Sequence, residues 1–536
     1  MSSMIQCYGV QFSRGRPVSG LAMVVLSCFP LVAQAQPIKG LIHNEDETDF
    51  FWRVSLVEGK AGDAVDEYVD VMARAGVRTF LCNTNARRTH YRSRVWDAYW
   101  DGYDPNGPDD QPFLAPMPRE EVSAYRKGVN NMLAVHKEGI DYPARVVARC
   151  RHNGMSPWIS LRMNDCHNND IPDHPFHGVF WRKNPQYRRQ GVSGYFATCL
   201  DYARQEVRDY FRSLIVESLD RYDIDGLELD FMREPYLFSA GKEEEGAKIL
   251  TAWMREIHKL TVEAAGRRGH PVRLGVRVPS RPEVALGWGL DAVTWAREGL
   301  IELLVVTPRW ATIEFDMPIQ RWRQMLVGSR VTLAGGLEVL YRPCPDGPAV
   351  QATPEQAIGA AYSVLSRGAD AVYLFNYFQK STAWPHPTYL STLKAMNSLD
   401  TLGGLPRCVG VTYRDITGPG EHYRPPLPAT GRELAFTIEL GPVRPQEWPC
   451  ELLIGLAPSP DASVAVPTVQ VNGQACAVRD DTTRDGLRLV TFRGPPAAVS
   501  ETGSCVIKIA GGNSDALTIR RIEASWVQAR NGVRGR

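Results

Sequence analysis

Along roughly its first 400 residues the chain repeats one pattern. A short apolar run is followed by a stretch whose apolar positions recur every three or four residues. The short runs predict strands at Gly40–His43, Arg78–Asn83, Pro157–Arg162, Gly226–Phe231, Arg273–Val278, Leu303–Thr307, Thr332–Glu338 and Ala371–Asn376. The clearest helical stretch is Gln205–Tyr222, where Val207, Tyr210, Phe211, Leu214, Ile215, Leu219 and Tyr222 share one face. Leu250, Trp253, Met254, Ile257 and Leu260 repeat that spacing. Ala64–Ala75, Pro354–Arg367 and Tyr389–Asn397 are further helices. Eight strand–helix units in succession predict an α/β fold, a (β/α)8 TIM barrel. A doubly wound open sheet would carry a glycine-rich turn after its first strand, and none follows here.

After Leu402-Gly403-Gly404 the helical spacing stops. Short strands separated by turn residues take over: Cys408–Tyr413, Glu433–Leu440, Glu451–Leu456, Thr468–Val471, Leu487–Phe492, Cys505–Ile509 and Leu517–Trp526. Val471-Asn472-Gly473 is a hairpin signal. The predicted organisation is therefore a barrel over 36–400 and an all-β sandwich accessory domain over 401–536.

The N-terminus reads as a leader rather than as part of the fold. Arg14 and Arg16 precede an apolar stretch, Gly20–Val32, that is short for a membrane span, and Ala33-Gln34-Ala35 has the small-x-small form of a cleavage site. Residues 1–35 are expected to be a signal peptide cut after Ala35, which sends the mature chain to the periplasm or the medium. A lipoprotein reading at Cys28 meets a poor lipobox in Val25-Leu26-Ser27-Cys28. No other apolar run approaches a span, so no membrane segment is expected in the mature chain. Charge adds an exclusion: Lys+Arg 61 balance Asp+Glu 60, which offers no general attraction to nucleic acid. The cysteines form no C-x-x-C pair. Cys450, Cys476 and Cys505 are candidate disulfide partners in an oxidising compartment.

Two of the predicted βα loops are long, and βα loops lie on the C-terminal face, where barrel sites sit. The one after the second strand carries Tyr91, Trp96, Tyr99, Trp100 and Tyr103. The one after the third carries Phe176, Phe180, Trp181, Tyr187 and Tyr195. Most of these rings are expected to pack the loops onto the barrel. Two or three are expected to offer a flat apolar face to a sugar ring. Asn85–Glu120 and Asn164–Leu200 should together make one wall of a cleft.

The fourth predicted strand carries the strongest chemical signal, Asp225-Gly226-Leu227-Glu228-Leu229-Asp230-Phe231-Met232-Arg233-Glu234-Pro235. Alternation turns Leu227, Leu229 and Phe231 outward, so Glu228 and Asp230 share the inward face. Two carboxylates in a barrel mouth need a counter-charge, hydrogen bonds or a job, and crowding drives their pKa values apart. Glu338, closing Gly335-Gly336-Leu337-Glu338 at the end of the seventh strand, is a third candidate. The segment resembles the fourth-strand signature of the family-10-like glycosyl hydrolases of bacteria, matching at Asp225, Gly226, Leu229, Asp230, Arg233 and Pro235. Glu228 stands where that family often has His. The resemblance implies a secreted barrel enzyme that hydrolyses glycosidic bonds, with Asp230 at the active site and no cofactor. A chitinase-type D-G-x-D-x-D-x-E motif is broken by Met232. Hydrolysis needs one protonated carboxyl and one carboxylate, so the catalytic candidates are Asp230, Glu338 and Glu228.

Polar residues at the other strand ends suit a carbohydrate-binding mouth: Asn83 and Asn85, Arg162, Asn164 and Asp165, Arg233, Arg277, Arg309 and Trp310, Asn376 and Tyr377. The arginines either meet an anionic group on the substrate or neutralise Glu228 and Asp230. Asp165-Cys166-His167 with Asp170, Asp173, His174 and His177 is dense in metal-ligating types but follows no metal motif, and no metal is assigned. Beside the hydrolase stand two other expectations: a catalytically inactive glycan-binding protein on the same barrel, and a metal-assisted hydrolase using the Asp165–His177 loop.

Overall fold

The computed structural model describes residues 38–527 apart from 47, 381, 443–447, 459–464, 496–497 and 513–515. The expected leader lies outside the described residues. Eight parallel strands close a barrel: β1 (Gly40–Glu45), β2 (Val77–Asn83), β3 (Ser156–Arg162), β4 (Gly226–Asp230), β5 (Arg273–Pro279), β6 (Leu303–Thr307), β7 (Thr332–Glu338) and β8 (Ala371–Phe375). Each pairs with its neighbour in sequence, and β8 closes onto β1 with Gly40 opposite Ala371 and Asn44 opposite Phe375.

Side-chain alternation divides the barrel into two apolar regions. Outward residues such as Leu227, Leu229, Val276 and Val278 join the large core beneath the helices. Inward residues form a separate plug that includes Ile42, Leu81, Trp158, Leu303, Val305, Ala334, Tyr373 and Phe375. Trp158 fills the bottom of this plug because β4 presents no side chain there: a Cβ at Gly226 would stand 2.3 Å from its indole. That close approach is a physical reason for the glycine of the fourth-strand motif. Asp225 lies at the same end, accepting from Ser156 Oγ at 2.8 Å and paired with Arg151 at 2.9 Å. This end is the stability face of a barrel, opposite the mouth.

The helices follow the expected spacing. Gln205–Arg221 buries Val207, Phe211, Leu214, Ile215 and Leu219 against the strands. Its Tyr210 is sandwiched between Trp96 of the β2 loop and Phe180 of the β3 loop, at ring separations of 4.1 and 3.9 Å. The helix Pro354–Ser366 begins with a full capping box, Thr353 and Gln356, and Pro354 in its first turn. It buries side chains almost all round, because it lies between the barrel and the C-terminal sheets.

Those sheets form the sandwich. One contains Arg407–Gly410, Ala429–Gly431, Cys450–Leu456, Ala477–Arg484, Leu487–Gly494 and Leu517–Trp526; the other contains Glu433–Glu439, Thr468–Val471, Gln474–Ala475 and Ser504–Ala510. The Asn472-Gly473 turn has both residues at positive φ, as a tight hairpin requires. Three strands escaped the sequence pattern. Ala477–Arg484 is the informative one: every residue is exposed, so no alternation marks it. No disulfide joins Cys450, Cys476 and Cys505 in this structure.

Barrel and sandwich belong to one compact unit spanning Pro37–Arg536. Arg407 lies over the Tyr362 ring at 4.1 Å, and Gln356 Nε2 donates to Glu523 at 3.3 Å. Gly359 meets the backbone of the first sandwich strand so closely that a Cβ would stand 2.1 Å from the Cys408 carbonyl oxygen. A main-chain oxygen cannot swing aside as a side chain would. Gly359→Ala should therefore destabilise the chain by about 1–3 kcal/mol, read as a lower midpoint in urea with an unchanged slope.

Candidate active site at the barrel mouth

The mouth is organised around Arg277, which rises from β5 into the top of the inner plug and is 0% exposed. Its guanidinium lies 3.8 Å over the Phe375 ring, and Nη1 donates to Asp230 Oδ2 at 3.0 Å. Nε and Nη2 have no protein partner. Asp230, at the end of β4 and 1% exposed, also accepts from the Met232 backbone N–H through Oδ1 at 2.9 Å. Alternation thus turns both β4 acids inward, with Asp230 nearer the mouth and Glu228 one layer down.

Glu228 Oε2 accepts from Asn44 Nδ2 at 3.0 Å, Ser160 Oγ at 2.6 Å and the Tyr373 hydroxyl at 3.1 Å, while Oε1 has no partner. Burial, reinforced by the charge on Asp230, pushes its pKa up to about 7 against those hydrogen bonds. Glu338 closes β7 at 1% exposure. Its Oε1 accepts from the Val339 N–H at 2.9 Å, and its buried Oε2 is unpartnered. Burial raises its pKa to about 8, with Arg277 pulling the other way.

Two hollows open on this face. The first, about 610 Å³, is lined by Glu338, Asn376, Phe378, Gln351, Thr382 and Trp52. The second, about 360 Å³, is lined by Asp46, Arg162, His167, His174, Phe176 and Tyr125, and again by Trp52. Trp52 and Ala124 border both, so the hollows adjoin. Trp52 can occupy that ridge because Gly128 beneath it lacks a side chain; a Cβ there would come within 2.5 Å of the indole. A larger open groove, about 720 Å³, lies at the other end of the barrel around Lys39, Arg78 and Asp225. It holds none of the mouth acids.

The remaining candidates divide between lining and holding. Asn376, at φ +63°, lines the first hollow and hydrogen-bonds Glu338. Tyr377 is buried and donates to the Glu338 carbonyl at 3.1 Å, fixing the end of β7. Arg162 is buried between Asp46 and Asp165, the latter at 3.3 Å. Burial acts to raise the Asp165 pKa, but His167, whose Nδ1 is 2.7 Å away, together with Arg162 and Arg233, holds it well below the usual carboxylate range. Arg233 Nη2 approaches His167 Nε2 at 3.3 Å. Asn83 donates to the Ser160 carbonyl at 3.2 Å and lines neither hollow. Asn164 uses its whole amide to tie the β3 loop shut, donating to the Leu200 and Tyr236 carbonyls and accepting from the Leu200 N–H. Arg309 pairs with Glu234 at 2.5 Å, and Trp310 is 39% exposed beside it. Both are held by Asp415, whose carboxylate accepts the backbone N–H groups of Arg309, Trp310 and Ala311 at 2.6–2.9 Å.

Of the three rim arginines, Arg277 neutralises Asp230, whereas Arg162 pairs with Asp46 and Asp165 and Arg309 pairs with Glu234. The aromatic loops also pack more completely than expected. Tyr91, Trp96, Tyr99, Trp100, Tyr103 and Trp181 are all buried, and Phe176 is the one predicted loop ring that lines a hollow. The loops still wall the second hollow, through Met117 of one and His167, Asn168, His174 and Phe176 of the other. Among the described residues no cluster of three His, Cys, Asp or Glu side chains is placed to hold a metal, and no helix is long and apolar enough to cross a membrane.

Sequence reading missed Asp46, Trp52, Tyr125 and Phe378, and named His174 only among metal-ligating types. Asp46 and Trp52 follow β1, which runs two residues beyond its expected end at His43. The polar Asn44-Glu45-Asp46 strand end is the signal that was available.

No protein-family model matches the sequence, and a search of curated proteins finds no match. Among solved structures the chain is similar to the glycoside hydrolase domain of PgaB (BpsB) from Bordetella bronchiseptica: 10% identity, 68% of this chain and 99% of that one covered, TM-score 0.39. It is also similar to alpha-L-fucosidase isoenzyme 1 from Paenibacillus thiaminolyticus, with 14% identity, 88% and 96% covered and TM-score 0.34. A third is the noncanonic maltogenic alpha-amylase AmyB from Thermotoga neapolitana, with 11% identity, 91% and 99% covered and TM-score 0.34. The chemistry of the mouth rests on its own geometry.

Arg277→Met should cost about 3–5 kcal/mol, because it leaves Asp230 buried without its counter-ion. Adding Asp230→Leu to that variant should restore much of the loss. Urea unfolding of the wild type, both single variants and the double variant checks the coupling.

Proposed function

We propose that this chain is a glycoside hydrolase that cleaves O-glycosidic bonds of a poly- or oligosaccharide outside the cytoplasm, in the manner the family-10-like resemblance implies. One observation carries the reading. The mouth holds a carboxylate ion-paired to Arg277, Asp230, and a carboxyl that burial keeps protonated near neutral pH, Glu338. A charged and a protonated carboxyl at one barrel mouth are the two groups that glycosidic hydrolysis needs.

Glu338 is the general acid of this scheme. Its unpartnered Oε2 is the atom from which a proton passes to the leaving oxygen. Asp230 supplies the negative charge, as base or nucleophile, on the opposite side of the β5 arginine. Like Asp230, Glu228 lines neither hollow; its hydrogen bonds to three inward residues, one layer further down, make it a positioning residue beneath Asp230. The substrate lies across Trp52, whose indole offers a sugar ring an apolar face. Asn376 and Gln351 meet hydroxyl groups in the first hollow, and Tyr125 and His174 meet them in the second.

The test is reducing-end detection on a panel of bacterial and algal polysaccharides. Glu338→Gln and Asp230→Asn should each lower kcat by about 10²–10⁴-fold in chains that still fold, Asp230→Asn at reduced stability because it leaves Arg277 without its counter-ion. Activity should decline as pH rises through about 8, where Glu338 loses its proton. The Glu338→Gln residual rate should lack that limb. A wild type that binds glycan and never cleaves it would move the assignment to a glycan-binding protein.

Trp52→Ala should raise KM for oligosaccharides and leave kcat for short substrates nearly unchanged, since the ring contacts sugar and not the reacting bond. Initial rates on substrates of increasing length separate the two effects.

A further inference from the structure

The β3 loop carries a pair of thiols that the barrel chemistry does not use. Cys166 follows Asp165 at the start of the loop, and Cys199 precedes the residue at which Asn164 ties the loop closed. Their sulfurs stand 2.9 Å apart, inside the ordinary contact distance of two unbonded sulfur atoms. Cys166 is 2% exposed and Cys199 0%. The two are 33 residues apart in sequence, and the chain between them includes His167, Asn168, His174 and Phe176 of the second hollow. We propose that Cys166 and Cys199 form a disulfide that closes the β3 loop into a covalent ring around one wall of the cleft.

The bond forms by thiol–disulfide exchange with a disulfide oxidant. One cysteine, as thiolate, attacks the oxidant's disulfide and displaces one thiol. The second cysteine then attacks the mixed disulfide and displaces the other. Two thiols lose two electrons and two protons, and the oxidant is reduced to two thiols. An N-terminal segment read as an export signal supplies a compartment where such oxidants act. Exchange precedes final packing, because burial pushes the Cys166 thiol well up once the loop is seated. The same burial shields the finished bond from reductants. Cross-linking the loop ends restricts the unfolded chain and holds the Asp165–His167 pair in register with Arg162.

This inference is independent of the glycosidase reading and is tested without an activity assay. The full chain is exported to the bacterial periplasm, purified, and unfolded in guanidinium with iodoacetamide and no reductant. Digestion and mass spectrometry should recover Cys166 and Cys199 in one linked, unalkylated peptide pair that separates on reduction. Cys199→Ala should leave Cys166 open to alkylation, whereas Cys450→Ala should not. In native protein, limited proteolysis within the β3 loop should be faster for Cys166→Ala/Cys199→Ala than for the wild type. Alkylation of both cysteines in the wild type would overturn the proposal, as would the recovery of either one linked to a different cysteine.

Discussion

A buried guanidinium sets the charge state of the inward acids. Arg277 is 0% exposed, and three carboxyl groups, those of Asp230, Glu228 and Glu338, feel its field. One positive charge in a dry interior sustains one anion, because every further ionised carboxyl bears the desolvation cost without a counter-ion. Asp230 takes the direct contact. Glu228 and Glu338 retain protons to higher pH than an exposed glutamate. The division of the three acids into one charge and two protons therefore follows from the direct contact of Asp230 with Arg277 and from the burial of the two glutamates.

The shape of the cleft depends on parts of the chain distant in sequence. The β2 and β3 loops are locked to each other and to the helix after β3 by the Trp96–Tyr210–Phe180 stack, and Arg87 reaches across to the Asp165 carbonyl at 2.6 Å. Asp415, beyond the first sandwich strand, gathers three amides of the β6 loop. Trp52 sits on a helix of six residues, Thr48–Arg53, and takes its position from Gly128 on the helix Arg119–Lys137. A flat aromatic face built this way is fixed by packing from behind the ring.

The barrel strands were legible because each combines an outward row facing helices with an inward row facing the plug, and the ends of seven of the eight agree within one residue. β1 runs two residues further than its apolar run, since Asn44 donates to Ser160 and Glu228 inside the barrel and Glu45 accepts from Tyr142 on the helix outside it. The inward placement of Glu228 and Asp230 followed from alternation alone. The role of the arginines did not, because an ion pair such as Arg162–Asp46 joins strands far apart in sequence. Tyr125 was hidden for another reason: it lies on an amphipathic helix, where its ring reads as core, and only the adjoining hollow reveals its edge. Ala477–Arg484 was invisible because neither of its faces is covered.

The helix Pro354–Ser366 is covered on one side by the barrel and on the other by the sandwich, and it leads directly from the β7 acid to β8. Cutting the chain at the change of sequence pattern near residue 403 would expose an apolar helix face to water and release the Asp415 clamp on the β6 loop. The compositional border is thus not a folding border. The C-terminal sheets serve as the second half of a shell around that helix, and a gene fragment encoding the barrel alone would specify an incomplete molecule.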